Sequence, residues 1–367
     1  MTESQTSTRI APGTRPGDAP LLEVKDLHVE FRTKAGVAEA INGLNFTLHA
    51  GETLAILGES GSGKSVTAQT IMGILDMPPG RIAGGEIRYR GDDLLTMSEE
   101  SRRRLRGGKI AMIFQDALSA LNPVMPVGWQ IAEMFRVHHG MKRKEARVKA
   151  VEMMTRVGIP AAEERAGDYP HQFSGGMRQR IMIAMAIALD PDVLIADEPT
   201  TALDVTVQAQ VMRLLKDLQK EFNMGLILIT HDLGVVADVA DKIAVMYSGR
   251  VMEAADVYEI YGKPGHPYTQ GLLSSIPRID DEGGRLRAIP GLPPSLTDLP
   301  SGCPFSPRCE FATDRCRTER PELRLIAEGH LSACHYAEDV YAGTATRTQR
   351  PSPTGAGMIP VSEEAPE

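Results

Sequence analysis

The sequence has no apolar run approaching the roughly 18–20 residues that a membrane-crossing helix needs. Its longest candidate, Ile181 to Leu189, fits a buried helix instead. The stretch Met1 to Pro20 is rich in Ser, Thr, Pro and Gly and lacks the apolar core of a secretion signal. These two absences predict a chain that stays in the cytoplasm and can sit peripherally on a membrane protein at the cytoplasmic face of the cell membrane. Positive charge is not in excess either. The formal net charge is −8, which argues against a general affinity for nucleic acid. Two local basic runs, Arg102-Arg103-Arg104-Leu105-Arg106 and Lys142-Arg143-Lys144, fit solvated helix faces. No internal repeat is visible. Cysteine is scarce, and all four residues fall between Cys303 and Cys334. In a reducing compartment such clustering points to metal before disulfide.

What is present is 367 residues at 42% hydrophobic content, enough for one large domain plus an extension. The informative stretch is Gly58-Glu59-Ser60-Gly61-Ser62-Gly63-Lys64-Ser65, which fits the phosphate-loop pattern G-x-x-x-x-G-K-[ST]. Thr53 to Leu57 before it reads as a buried strand, and Val66 to Met72 after it can form a helix. Its glycines let backbone N–H groups turn toward one anion, and the helix N-terminus adds positive potential. Lys64 can reach the β- and γ-phosphates of a nucleotide, and the Ser65 hydroxyl can ligate Mg²⁺.

Leu22 to Phe31 and Ala38 to Leu48 alternate as an antiparallel hairpin, and Gly85 to Gly91 adds a short strand. Ile110 to Phe114 reads as a buried strand ending at Gln115. The pattern then turns helical to about His171. Asp192 to Asp197 and Gly225 to Thr230 are continuous apolar runs with polar ends, as expected of central parallel strands carrying function at their C-terminal ends. Thr206 to Phe222 supplies a helix between them, and Lys242 to Glu253 a closing hairpin. After about Ala255 the rise in Pro and Gly reads as a linker to the cysteine segment. Asp197 can bind Mg²⁺, and Glu198 can orient and deprotonate an attacking water.

Phe173-Ser174-Gly175-Gly176-Met177-Arg178-Gln179-Arg180 opens a second helix with a Ser cap and two glycines. At this point the chain resembles the ATP-binding subunits of ABC transporters. Their signature is Ser-Gly-Gly, a polar residue and Gln; here Met177 takes the third place after Ser174 and Arg178-Gln179 follow. The resemblance implies an α/β phosphate-loop ATPase with a RecA-like core, an antiparallel β subdomain and a helical subdomain. It also implies that Ser174, Gly175, Gly176 and Gln179 serve ATP held by an opposing subunit in a head-to-tail dimer. Gln115 resembles the loop glutamine that touches Mg²⁺ and senses the membrane partner. Ala202-Leu203-Asp204 resembles the loop contacting the opposing subunit, and His231 the switch histidine that senses the γ-phosphate. An aromatic ring stacks on adenine in this family. Phe31 is the nearest candidate, with a core phenylalanine as the plain alternative.

A narrower likeness runs through Asp168-Tyr169-Pro170-His171-Gln172-Phe173, Phe114-Gln115-Asp116, Ser119 to Pro123, and Gly265-His266-Pro267-Tyr268-Thr269-Gln270-Gly271. These resemble the oligopeptide, dipeptide and nickel importer branch. The branch implies a related ATPase subunit as partner, two membrane permeases and an extracytoplasmic substrate-binding protein, with no nucleic acid. The implied activity is ATP hydrolysis driving peptide import; nickel or another small solute, and a cluster-binding regulatory ATPase, are the alternatives.

Cys303, Cys309, Cys316 and Cys334 are spaced C-x5-C-x6-C-x17-C. Four thiolates on a loop can hold Zn²⁺ or an iron–sulfur cluster; free or disulfide-bonded cysteines are the remaining alternative. Members of the branch with this tail are similar in carrying a [4Fe–4S] cluster. The expected division is a disordered tail at 1–20, the ATPase at 21–255 with a helical part at 117–173, a small irregular cysteine-bearing extension at 256–344, and a disordered tail at 345–367.

Overall fold

The computed structural model describes residues 19–201, 203–275 and 288–346. The tails expected at 1–20 and 345–367 lie almost wholly outside the described residues, as does Ala202. In chain order, strands β1 (Leu22–Thr33) and β2 (Gly36–Leu48) precede β3 (Thr53–Leu57), helix α1 (Lys64–Met72), β4 (Gly80–Tyr89) and β5 (Asp92–Asp93). Helix α2 (Glu99–Leu105) leads to β6 (Ile110–Ile113). Then come α3 (Ala117–Ala120), α4 (Val127–His139), α5 (Arg143–Arg156), α6 (Ala162–Arg165) and α7 (Gly175–Ile187). β7 (Val193–Asp197), α8 (Val205–Phe222), β8 (Gly225–Ile229), α9 (Leu233–Val239), β9 (Lys242–Tyr247) and β10 (Arg250–Asp256) follow. The C-terminal portion adds α10 (Val257–Gly262), α11 (Pro267–Ser274), α12 (Asp314–Thr318), β11 (Arg324–Ala327), β12 (His330–Ser332) and α13 (Ala337–Tyr341).

The strands make two sheets. One is antiparallel, in the order β2-β1-β4-β5; the other has eight strands in the order β11-β12-β10-β9-β3-β8-β7-β6. In the larger sheet β3 pairs in parallel with β8 and β9, and β7 with β8 and β6. Side chains of a strand point alternately to its two faces. The apolar runs of β3, β7 and β8 are therefore sorted into two cores. Ile56, Ile195, Ile227 and Ile229 pack toward the antiparallel sheet with Leu22, Leu27 and Phe46. Ala55, Leu57, Leu194, Ala196, Leu226 and Leu228 face the helical side with Ile131, Met154 and Ile183. Each fully buried Leu or Ile contributes about 1.5–3 kcal/mol, so the sandwiched strands form a stiff frame. Polar strand ends can then be held in place without being part of a core.

The C-terminal portion departs from the sequence expectation. The Pro- and Gly-rich stretch contains two helices rather than a plain linker. Asp256 caps α10 by accepting from the Tyr258 N–H at 2.9 Å. His266 Nδ1 accepts from the Tyr268 N–H at 3.0 Å at the start of α11, with Pro267 at its first position. Proline there is helix punctuation, because its missing N–H would have had no partner in any case. The cysteine segment is also not a separate irregular appendage. Its hairpin β11–β12 extends the large sheet by pairing antiparallel with β10. A buried polar knot fixes the join: the Glu253 carboxylate accepts from the Gly265 and His266 N–H groups and lies 2.6 Å from His330 Nε2. Glu253 and His330 are both fully buried. Among the described residues no helix is long and apolar enough to cross a membrane.

Candidate functional site

The loop from Gly58 to Ser65 joins β3 to α1 at the C-terminal edge of the parallel strands. Gly63 sits at φ +102°, where a Cβ would come 2.5 Å from the Ala40 carbonyl oxygen, so a side chain is excluded on both counts. Lys64 Nζ donates to the Gly58 and Glu59 carbonyls at 2.8 and 2.9 Å. Burial lowers the pKa of this ammonium, opposed by the carboxylates of Glu198, Asp197 and Glu59. Ser65 Oγ donates to Asp197 Oδ1 at 3.1 Å. Burial raises the Asp197 pKa above the usual carboxylate range, while the Ser65 bond works the other way. A hydroxyl and a carboxylate this close are hard oxygen donors suited to Mg²⁺.

Glu198 follows β7 directly. Its backbone is at φ +46°, a left-handed conformation rare for a side chain of this size. The strain is held by the Glu198 N–H donating to the Ile229 carbonyl at 2.8 Å. The carboxylate accepts from Gln115 Nε2 at 2.9 Å and from Thr201 Oγ1 at 3.0 Å. His231 Nδ1 lies 3.3 Å from its other oxygen. Two segments remote in sequence, at Gln115 and His231, thus meet the carboxylate beside the nearby Thr201. Asp232, next to His231, caps α9 and also accepts from Gln208 Nε2 of α8 at 2.6 Å. α8 is itself capped by Asp204, which accepts from the Val207 N–H at 3.0 Å.

The second glycine motif lies elsewhere. Ser174 caps α7, accepting from the Met177 N–H at 3.4 Å. A Cβ on Gly176 would meet Val207 at 2.6 Å, so this glycine lets α7 approach α8. α7 packs on α3, α4, α5, β6 and α8, whereas α1 packs on β2, β6 and β7. The structure therefore gathers Lys64, Ser65, Gln115, Asp197, Glu198 and His231 around one site. It places Ser174, Gly175 and Gly176 beside the start of α8. Gln179 is 4% exposed, and its Nε2 has no hydrogen-bond partner among the described residues. Phe31 is half-buried against the core of the antiparallel sheet.

Three residues were given no role by sequence reasoning. Thr201 follows the acidic pair closely enough to have been suspected. Tyr268 stood in a quoted motif without a role, and Arg308 carried no local signal; both touch Glu59.

All four cysteines line one small pocket, with Phe305 and Tyr336 in its wall. Burial pushes the Cys303 thiol up to about 11 and those of Cys309 and Cys334 up to about 12. Among the described residues no group of three or more His, Cys, Asp or Glu is arranged to hold a metal ion. The ligand set expected from the sequence is thus present around one space but is not gathered on a single point.

A family model described as ABC transporter matches residues 41–201. A second, described as the C-terminal region of oligopeptide/dipeptide transporters, matches residues 252–316. The oligopeptide transport ATP-binding protein OppD of Salmonella typhimurium is 52% identical over 334 residues, covering 91% of this chain and 98% of that protein. OppD of Bacillus subtilis is 52% identical over 311 residues, covering 84% and 87%. A solved dimeric ATP-binding cassette in a post-hydrolysis state, bound to ADP and Pi, is similar at 26% identity. It aligns with 64% of this chain and 98% of its own at a TM-score of 0.58.

Proposed function

The chain belongs to the ABC transporter family of ATP-binding subunits, of the oligopeptide-import type, and from that premise we propose how its residues act. It is an ATPase that powers peptide import. The backbone of Gly58, Glu59, Ser60, Gly61, Ser62 and Gly63 cradles the triphosphate, and Lys64 exchanges its loop carbonyls for phosphate oxygens. Ser65, Asp197 and Gln115 supply the oxygen donors for Mg²⁺, which neutralises phosphate charge when bound. Glu198 is the general base. Gln115 and His231 hold its carboxylate in position, and His231 carries the presence of a γ-phosphate to Asp232 and α8. The observation that carries this reading is the convergence of Gln115, Thr201 and His231 on Glu198.

Ser174, Gly175, Gly176, Gln179 and Asp204 serve a second ATPase subunit, and two such chains close over two nucleotides. Support comes from the packing of the signature helix on α8 rather than on the phosphate loop, and from the dimeric cassette that the fold resembles. Gln179 acts indirectly in this scheme, because its side chain is buried. Phe31 stacks on adenine only if it leaves its present packing. Closure pulls on two permeases at the cytoplasmic membrane face, near Gln115 and the exposed Phe114 and Val124. A substrate-binding protein delivers the peptide from outside. The ATPase unit is taken as residues 21–255, with its helical part at 117–173, and the extension as 256–344. Cys303, Cys309, Cys316 and Cys334 hold a [4Fe–4S] cluster that stabilises the extension, with a zinc ion as the alternative; that all four line one pocket is compatible with either.

The deciding experiment is Glu198→Gln in the assembled importer. ATP binding should persist while turnover falls by about 10²–10⁴-fold. Turnover within twofold of wild type would remove Glu198 as the base.

A further inference from the structure

Arg308 lies in the loop between Cys303 and Cys309, yet its guanidinium reaches into the phosphate loop. Nη1 and Nη2 donate to the two oxygens of Glu59 at 2.5 and 2.9 Å. The remaining donors go to Tyr247 Oη at 3.3 Å, the Pro290 carbonyl at 3.1 Å and the Ile289 carbonyl at 3.4 Å. The Arg308 side chain is 5% exposed. A forked pair of this kind fixes direction as well as distance. Glu59 is held from a second side, since its N–H donates to Tyr268 Oη at 2.9 Å. Its carbonyl in turn receives Lys64 Nζ. Tyr268 and Phe305 both pack on Tyr247, so the aromatic cluster backs the strut.

Glu59 puts a negative charge in the loop that must accept a polyphosphate. Left unpaired it would repel the phosphates and weaken the loop's positive potential; its field already reaches the Lys64 ammonium. We propose that Arg308 is a positioning residue for nucleotide binding: it neutralises Glu59 and holds it back from the phosphates, so that the cysteine loop sets the affinity of the phosphate loop for ATP. The idea rests on the loop from Gly58 to Ser65 being the ATP site, and goes beyond it by making the distant C-terminal loop part of that site's electrostatics. Arg308 itself does not touch the nucleotide. Its effect travels through one carboxylate, and one charge change should reveal it.

The test is equilibrium binding of Mg²⁺-ATP to the full-length chain, comparing Arg308→Ala with wild type and the same change made in a Glu59→Gln background. Arg308→Ala should weaken binding about fivefold to tenfold, the scale of one unscreened like charge near a phosphate. The loss should shrink as salt is raised, because the repulsion is screened. In the Glu59→Gln background the same substitution should cost less than twofold. Affinity unchanged by Arg308→Ala would overturn the proposal. So would an equal loss in both backgrounds, which marks a merely structural contact or a damaged fold. Wild-type chain that binds no ATP, or binds equally well after Lys64→Ala, would instead overturn the assignment of the loop itself.

Discussion

His231 Nδ1 lies 3.3 Å from one oxygen of Glu198, while Gln115 Nε2 donates to the other at 2.9 Å. The carboxylate is thereby held across its width, on a backbone already forced to φ +46°. Such an arrangement fixes which lone pair faces an attacking water. Removing His231 should loosen the base without removing it. His231→Ala is expected to lower kcat about 10²-fold with a smaller change in KM, a magnitude ordinary for a positioned acid–base group. Residues acting as one unit are not additive. Combined with Glu198→Gln, the histidine change should therefore cost little more than Glu198→Gln alone. Steady-state hydrolysis by the four proteins in the assembled importer checks this; fully multiplicative losses would show that the two side chains act separately.

Burial in the extension makes a pH-dependent prediction. His266 is buried, and burial lowers its pKa from 6.5 to about 3, against a bond to the Ala333 backbone that raises it. The unfolded histidine therefore binds a proton between those values and the folded one does not. Stability then rises with pH across that window and is lost as pH falls through 6.5. At pH 5 the deficit should be about 2 kcal/mol for this group. His266→Asn keeps an acceptor for the Tyr268 N–H but cannot titrate. Denaturant unfolding of the full chain at pH 7.5 and 5 should show wild type losing more stability than the variant by about that amount. Parallel losses would mean that His266 is not the group responsible.

The core and the gathering of the candidate site residues at one edge of the sheet were legible because each rests on local pattern. β3, β7 and β8 are continuous apolar runs, and Lys64, Asp197, Glu198 and His231 lie at or beside their ends. Backbone periodicity places such residues at one edge before any contact is known. The extension was misread for the opposite reason. Pro267 and Gly262 look like loop formers, but they bound helices whose caps are His266 and Asp256. The pairing of β12 with β10 depends on the buried Glu253–His330 contact, which no spacing announces. The pair Arg308 and Glu59 is separated by 249 positions and is visible only once the chain is folded. Phe31 shows the converse limit: alternation places it on β1, and its ring packs against the core of the antiparallel sheet.

Around the cysteines, the chemistry of the thiols sets the final expectation. Cys309 and Cys334 are pushed up to about 12 by burial, and Cys303 to about 11, so all three carry protons at neutral pH when nothing is bound. A metal or cluster takes thiolates, so its binding must release these protons and strengthen as pH rises. Four cysteines lining one pocket are a donor set that either a [4Fe–4S] cluster or a structural zinc can use, and the cluster is the reading put to the test. Full-length protein purified without oxygen should therefore contain iron and acid-labile sulfide in equal amounts and absorb in the visible. Cys309→Ser should lose most of that absorbance. Colourless wild-type protein carrying one zinc per chain would replace the cluster with a structural ion. Because Arg308 adjoins Cys309, the Cys309→Ser chain should also bind ATP more weakly at low salt, by no more than Arg308→Ala does. A normal ATP affinity in that variant would mean that the strut keeps its geometry without the thiol, and that the two sites are independent.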